Sequence, residues 1–214
     1  MFLKKKLKYL QKKIKTFLEI PKNVSPANRK SAVKNRILLH TCCAPCLIYP
    51  LERLKKQNLQ AAGFFYNPNI YPLDEYKKRR RAVVHFSVAD DLEIFYPEYI
   101  PSDFSYAVHE NKDKPARCTV CWTMRLRKTA QFAKRNGFLG FSTTLLVSPY
   151  QDHGVLKKIG ENVGREEGVP FYYEDFRAGF REAHHQAKSQ GMYCQNYCGC
   201  MYSYMERCRK SGKL

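Results

Sequence analysis

The sequence predicts an α/β protein, a parallel sheet flanked by helices, closed by a cysteine-rich helical segment near the C-terminal end. Three observations predict it. Short apolar runs alternate with longer stretches of helical periodicity, the pattern of βαβ crossovers in a sheet covered on both faces. The 214 residues are 44% hydrophobic and 27% charged, the balance of a globular domain rather than a disordered chain. Cysteine clusters fall where apolar runs give way to helical patterns, the edge of an open α/β sheet at which ligands bind.

Residues 1–34 read as a basic extension to a domain of residues 35–214. Leu3, Leu7, Leu10, Ile14, Phe17 and Leu18 recur at helical spacing with lysines on the opposite face. Pro21, Ser25 and Pro26 then break the pattern. Residues 36–41 (RILLHT) read as a buried strand and 45–56 as the helix after it, with Pro45 acceptable in the first turn. A second strand spans 61–66 (AAGFFY), a basic helix 74–90, and a short strand 93–96. Residues 97–117, with Pro97, Pro101 and Pro115, read as a loop. A helix over 118–135 is closed by Asn136 and Gly137. Strand 141–147 (FSTTLLV), helix 152–167 and a last strand 169–173 follow, with final helical patterns at 176–190 and 201–210.

Charge and cysteine usage narrow the function. Thirty-eight Lys and Arg face 19 Asp and Glu, a net charge of +19, which predicts a polyanionic partner. No apolar run approaches the roughly 20 residues of a transmembrane helix. Lys8, Lys12, Lys13 and Lys15 interrupt any signal-peptide core after Lys4–Lys6. The expected location is cytoplasmic, with no membrane partner. In a reducing cytosol, nine clustered cysteines point to metal or redox chemistry rather than a disulfide scaffold.

Three motifs hold seven of those cysteines. His40-Thr41-Cys42-Cys43-Ala44-Pro45-Cys46 lies where the first strand meets a helix, whose N-terminus stabilises thiolates. Cys118-Thr119-Val120-Cys121 opens another helix. Cys42, Cys43, Cys118 and Cys121 together offer four thiolates to one centre, a complement that suits structural zinc or an iron–sulfur cubane, and spacing does not choose between them. Tyr197-Cys198-Gly199-Cys200 suits a strained, reactive disulfide or two ligands to a second metal. Ser142–Gln151 and Asn67–Pro72 end strands at the same predicted edge and suit either a nucleoside pocket or ordinary turns. Asp175-Phe176-Arg177 suits a charged pair at a mouth or a helix cap. His40 is a donor to the cysteines or a satisfied core residue, while His184 and His185 read as helical surface. Lys77, Lys78, Arg79, Arg80 and Arg81 suit phosphate contacts or a solvated face.

In sequence order LLHTCCAPC, YNPNIYP, ARCTVCWTMRLRKTA, STTLLVSPYQ, DFR and YCGC resemble the QueH-type epoxyqueuosine reductases, over residues 36 to about 205. The resemblance implies a fold related to adenine-nucleotide α-hydrolases. It implies an oxidoreductase of queuosine biosynthesis that removes the epoxide oxygen of epoxyqueuosine at the tRNA wobble position by two-electron reduction. The cofactor implied is a 4Fe-4S cluster on Cys42, Cys43, Cys118 and Cys121. Cys198 and Cys200 become a redox-active pair or ligands to an additional mononuclear iron. The implied partners are tRNA carrying epoxyqueuosine and an electron donor that the sequence does not identify. Cys194 departs from the family pattern, which has a basic residue there, and residues 1–34 lie outside the usual domain. The competing reading is a zinc-stabilised, non-catalytic RNA-binding protein. An ATP-using enzyme ranks last, for no Gly-rich phosphate loop follows the first strand.

Overall fold

The computed structural model describes residues 35–212. The helix expected within residues 1–34 lies outside them. Four parallel strands, β1 (Arg36–His40), β2 (Gln60–Phe64), β3 (Ile94–Phe95) and β4 (Gly140–Thr143), form one sheet in the order β3-β2-β1-β4. Leu38 stands between Ala62 and Phe141, and His40 between Phe64 and Thr143. The central strand is buried on both faces, which explains why RILLH is a continuous apolar run rather than an alternating one.

Helices cover the two faces as separate layers. Helices α1 (Ile48–Lys56) and α2 (Leu73–Ala89) lie on the face to which Leu39 points, with Leu47, Phe65, Tyr76, Val83 and Phe86. Leu38 points the other way, into Phe64, Phe141, Leu126 and Leu156 beneath α4 (Ala116–Arg135) and α5 (His153–Glu167). The short α3 (Pro101–Ala107) packs beside α4. The chain ends in α6 (Phe180–Ser189) and α7 (Met201–Lys210). The Asp152 carboxylate accepts from Val155 N at 3.0 Å to cap α5, and Gly168, with φ of 69°, closes it in the left-handed conformation. Gly63 admits a close approach: a Cβ there would lie 2.2 Å from Ile94 Cδ1.

Four expectations change. Residues 97–117 hold a helix, α3, because Pro101 occupies a first-turn position where its missing N–H costs nothing, and Phe104 and Val108 are buried. Strand β4 stops at Thr143, whose side chain accepts from Leu145 N at 3.1 Å and turns Thr144–Val147 into a 3-10 helix. Residues 169–173 are not a full strand. Phe171 makes an isolated parallel bridge to Phe141, and Pro170, with no N–H to donate, limits the ladder. The helical pattern 176–190 begins as a 3-10 turn over Phe176–Gly179, capped by Asp175. Among the described residues no helix is long and apolar enough to cross a membrane.

Phe141 is fully buried, with its ring 5.1 Å from that of Phe171. Phe141→Ala is therefore expected to cost about 3–5 kcal/mol of unfolding free energy in urea titrations followed by circular dichroism. A loss of under about 1 kcal/mol would contradict this packing.

Candidate metal centre

The carboxyl ends of β1 and β4 lie side by side where the strand order reverses, the crevice in which open α/β sheets bind ligands. β1 delivers Cys42 and Cys43, and the 3-10 turn Pro45–Leu47 brings Cys46 back beneath them. The three sulfurs lie within 4.8 Å of one another, and Cys42 Sγ is 3.6 Å from Cys43 Sγ. Thr144 binds Cys42 twice: its hydroxyl donates to Cys42 Sγ at 3.2 Å and accepts from Cys42 N at 3.0 Å. Gln195 Nε2 donates to Cys43 Sγ at 2.9 Å, while its Oε1 is buried with no hydrogen-bond partner.

Hydrogen bonding within the trio pulls its three thiols apart in acidity. Hydrogen bonds from Cys43 and Cys46, then from Thr144, hold the Cys42 thiol well below its ordinary range against the effect of burial. Burial pushes the Cys43 thiol up, and its bond to Cys42 adds to the rise. Hydrogen bonding to Cys42 and Cys43, then burial, pushes Cys46 up as well. Two thiols donating to a third, more acidic one is the arrangement a multivalent cation converts into three thiolates.

A cation already stands beside them. Arg125 is 2% exposed and donates to His40 Nε2 at 3.2 Å and to Asn67 Oδ1 at 2.7 Å, with Nη1 3.9 Å from Cys121 Sγ. Asn67 is itself fixed by donating to Thr41 O at 2.8 Å. His40 is neutral, its pKa lowered to about 3 by burial and then by Arg125. Its Nε2 also lies 3.2 Å from Tyr66 O, and its Nδ1 lies 2.9 Å from Thr143 Oγ1, so both ring nitrogens are engaged. None of these partners of Arg125 is a carboxylate. A buried guanidinium stays charged, so the negative charge opposite it must come from sulfur.

A second thiol group stands on another wall. Cys118 and Cys121 lie one turn apart on α4, with Arg125 a further turn along the same face. Burial pushes the Cys121 thiol up to about 12, with Cys198 and Cys200 close enough to add to the rise. Burial also raises Cys118, and Cys200 adds to it. Cys200 is buried and caps α7, its sulfur accepting from Ser203 N at 3.4 Å, whereas Cys198 is exposed.

The segment that carries this pair is tied to α2. Arg79, also 2% exposed, donates to Glu75 Oε1 at 2.7 Å, Cys198 O at 3.1 Å and Tyr197 O at 3.0 Å. The Tyr193 hydroxyl donates to the same Glu75 carboxylate. Gly199 has a φ of 127°, and a Cβ there would stand 3.1 Å from Arg79 Nη1, so glycine is required on both counts. Gly199 O accepts from Tyr71 N at 2.7 Å, which ties the Asn67–Pro72 turn to the same segment.

The structure therefore brings Cys42 and Cys43 together with Cys46, and Cys118 and Cys121 together with Cys198 and Cys200. Cys42, Cys46, Cys118 and Cys198 all line one cleft of about 1220 Å³. Cys46, which sequence reading left without a role, is a full member of the first group. Arg79 is no phosphate ligand, since it turns inward; Lys77, Lys78 and Arg81 are exposed, and Arg80 lies 4.9 Å from the Tyr96 ring centroid. His184 and His185 are not plain surface but line the cleft. Asp175 both caps its 3-10 turn and pairs with Arg177 Nε at 2.8 Å.

Comparison with known proteins places this geometry. The family model for epoxyqueuosine reductase QueH matches residues 37–206. The chain belongs to the QueH family. The epoxyqueuosine reductase QueH of Thermotoga maritima is 38% identical over 186 residues, covering 83% of this chain and 95% of that relative. The protein of the same name from Dehalococcoides mccartyi is 36% identical over 173 residues, 80% of this chain and 94% of its own length. That of Streptococcus pyogenes is 32% identical over 185 residues, 81% and 72% respectively. Epoxyqueuosine reductases are oxidoreductases, and the buried Cys42, Cys43 and Cys46 of this member can bind a metal.

The Arg79 bonds make one prediction for the metal-free, reduced protein. Charge-assisted bonds of this kind are worth about 1.5–3 kcal/mol each. Arg79→Ala is expected to speed alkylation of buried Cys200 by at least about tenfold, read by mass spectrometry of iodoacetamide-treated samples. An unchanged rate would mean that Arg79 does not hold the segment.

Proposed function

We propose that residues 35–214 form an enzyme that reduces epoxyqueuosine to queuosine at the wobble position of tRNA, using an iron–sulfur cluster. The observation that carries this reading is the convergence of two thiol groups on one cleft, with the buried, carboxylate-free Arg125 against His40 and Cys121 behind them. The donor set fits such a group. A single tetrahedral ion with metal–sulfur bonds of about 2.3 Å holds thiolates roughly 3.8 Å apart. A 4Fe-4S cluster binds each thiolate to a different iron, so Cys42 and Cys43, whose sulfurs stand 3.6 Å apart as thiols, would turn apart to hold it while Cys118 and Cys121 reach it from α4. We assign Cys42 and Cys43 from the end of β1, and Cys118 and Cys121 from α4, as its ligands. Bound there, a cluster of low potential supplies electrons one at a time.

The chain's own residues do the rest. Removing the epoxide oxygen as water takes two electrons and two protons and leaves a carbon–carbon double bond. Oxidising the Cys198 and Cys200 thiols to a disulfide releases two electrons and two protons, so this pair balances the reaction, and an external donor then reduces the disulfide. One residue between the two cysteines makes such a disulfide strained and readily reduced, which favours the redox pair over ligation of an additional iron. Cys198 is the exposed residue of the pair and lines the cleft, although burial pushes its thiol up, so the donor would reach this pair from the cleft side. Arg125 and neutral His40 hold a fixed positive field beside sulfur without supplying a competing carboxylate. The wobble nucleoside must leave its stack to reach the thiols. The cleft is wide enough to receive it, and the net charge of +19 supplies the sequence-independent part of tRNA affinity.

Anaerobically purified protein is expected to be brown, to contain iron and acid-labile sulfide, and to convert epoxyqueuosine in tRNA to queuosine, read by nucleoside mass spectrometry. A colourless, zinc-loaded protein that binds RNA without turnover overturns the proposal in favour of the non-catalytic zinc reading. Two variants divide the roles. Cys118→Ala should lose the iron and the activity together. Cys198→Ala should keep the iron and lose turnover by at least about a hundredfold; persistent turnover would remove the redox-pair assignment.

A further inference from the structure

Tyr150 is an anomaly of the surface. It is 83% exposed, lies in the turn between the 3-10 helix Thr144–Val147 and α5, and presents its ring at the thiol cleft. Its turn is hydrogen-bonded. Ser148 Oγ accepts from Tyr150 N at 3.3 Å, Ser148 O accepts from Gln151 N at 3.4 Å, and His153 Nε2 lies 3.2 Å from Ser148 O. A hydrogen-bonded turn that displays a large aromatic ring to water gives up the hydrophobic gain of burying it.

The ring does not stand alone. Tyr150 meets Phe180 edge-on at 6.0 Å between centroids, and Phe180 lies 4.5 Å from the His184 ring. Tyr150, Phe180 and His184 line the same cleft as Cys42, so the three rings form one run along its wall. The mouth is positively charged. Arg181, Lys188, Arg207 and Lys210 line it, whereas of the two lining carboxylates Asp152 is engaged in capping α5 and Glu206 in pairs with Lys114 and Arg117. Aromatic faces leading into a basic cleft are how proteins hold splayed single-stranded nucleotides: bases stack on the rings and phosphates take the cations.

We infer that Tyr150, backed by Phe180 and His184, is the platform on which a base of the tRNA anticodon loop stacks as its wobble neighbour enters the cleft. This rests on the proposed tRNA substrate and adds the residue that positions it. Stacking needs the ring and not the hydroxyl, so phenylalanine serves in place of tyrosine and alanine does not.

The test uses the full chain, purified anaerobically, with an anticodon stem–loop RNA carrying 2-aminopurine beside the wobble position. The bound probe is expected to be dimmer with the wild type and Tyr150→Phe than with Tyr150→Ala. In turnover assays on tRNA, Tyr150→Ala is expected to raise KM roughly tenfold with little change in kcat, and Tyr150→Phe to stay near the wild type. Tyr106, 82% exposed but outside the cleft, is the control, and Tyr106→Ala should leave both readouts unchanged. The inference is overturned if Tyr150→Ala binds and dims the probe as the wild type does. Equal impairment of Tyr150→Phe and Tyr150→Ala, or of Tyr106→Ala, overturns it too. A wild-type protein that binds and dims the probe yet never reduces epoxyqueuosine overturns the proposed reaction and leaves the platform standing.

Discussion

The charge of Arg125 is the constraint to which the rest of the site answers. A guanidinium cannot shed its proton in a protein, and taking it out of water costs several kcal/mol that must be offset by nearby negative charge and hydrogen bonds. Its hydrogen bonds come from His40, Asn67 and Cys121, all of them neutral in the metal-free state: burial holds His40 deprotonated and the Cys121 thiol protonated. On this side only the Cys42 thiol is held well below its ordinary range, because two neighbouring thiols and Thr144 donate to it. The metal-free cleft is thus short of negative charge next to a fixed cation. A centre that converts more of these thiols to thiolates relieves that shortage. The requirement comes from the protein's electrostatics, whatever metal meets it.

Topology explains how residues so far apart in sequence reach one place. Parallel pairing of β1 with β2 and β4 sends three strands to the same edge in register, so the turns after them deliver Cys42, Asn67 and Thr144 together. The fourth contribution, Tyr197–Cys200, follows no strand of the sheet and needs its own anchor. The buried pair of Arg79 and Glu75 supplies it, since the guanidinium has donors left for two backbone carbonyls of that segment. A buried ion pair is a poor source of net stability, and breaking one is costly. This pair is better understood as a device of specificity: it fixes where a segment with few apolar contacts must lie.

Much of this was legible in the sequence, and the rest was hidden for identifiable reasons. The runs RILLH and AAGFF announced central strands because burial on both faces leaves a continuous apolar signal. Val169–Tyr173 carried a similar signal, but Pro170 removes a ladder donor and leaves one bridge. Pro101 read as a breaker although the first turn of a helix is where proline costs least. The cysteine motifs located the site, and the positions of its arginines were harder to read. Arg79 sits in a run of five basic residues, and nothing in such a run says which one turns inward. Arg125 did leave a trace, standing four residues after Cys121 on the same helical face as Cys118. His184 looked like surface because its neighbours are polar, and the depth of a cleft between distant elements is not written in local periodicity.

The two thiol groups differ in exposure, and that difference sorts what each can do. Cys42, Cys43 and Cys46 are buried at the switch point, covered by Gln195 and by Thr144, where water and oxidants reach them poorly. Cys198 is exposed and its neighbour Cys200 is not. A sulfur that must exchange electrons with an outside donor has to meet it by direct attack, which requires access. Sulfurs that hold an oxidisable centre are better kept from solvent. An enzyme using both kinds of thiol has to place them within one cleft and yet at different depths. The buried Cys42 and the more exposed Cys198 line one cleft, and the proposed reaction would draw on that order by passing electrons from an external donor through the Cys198–Cys200 pair to a substrate seated beside the buried sulfurs.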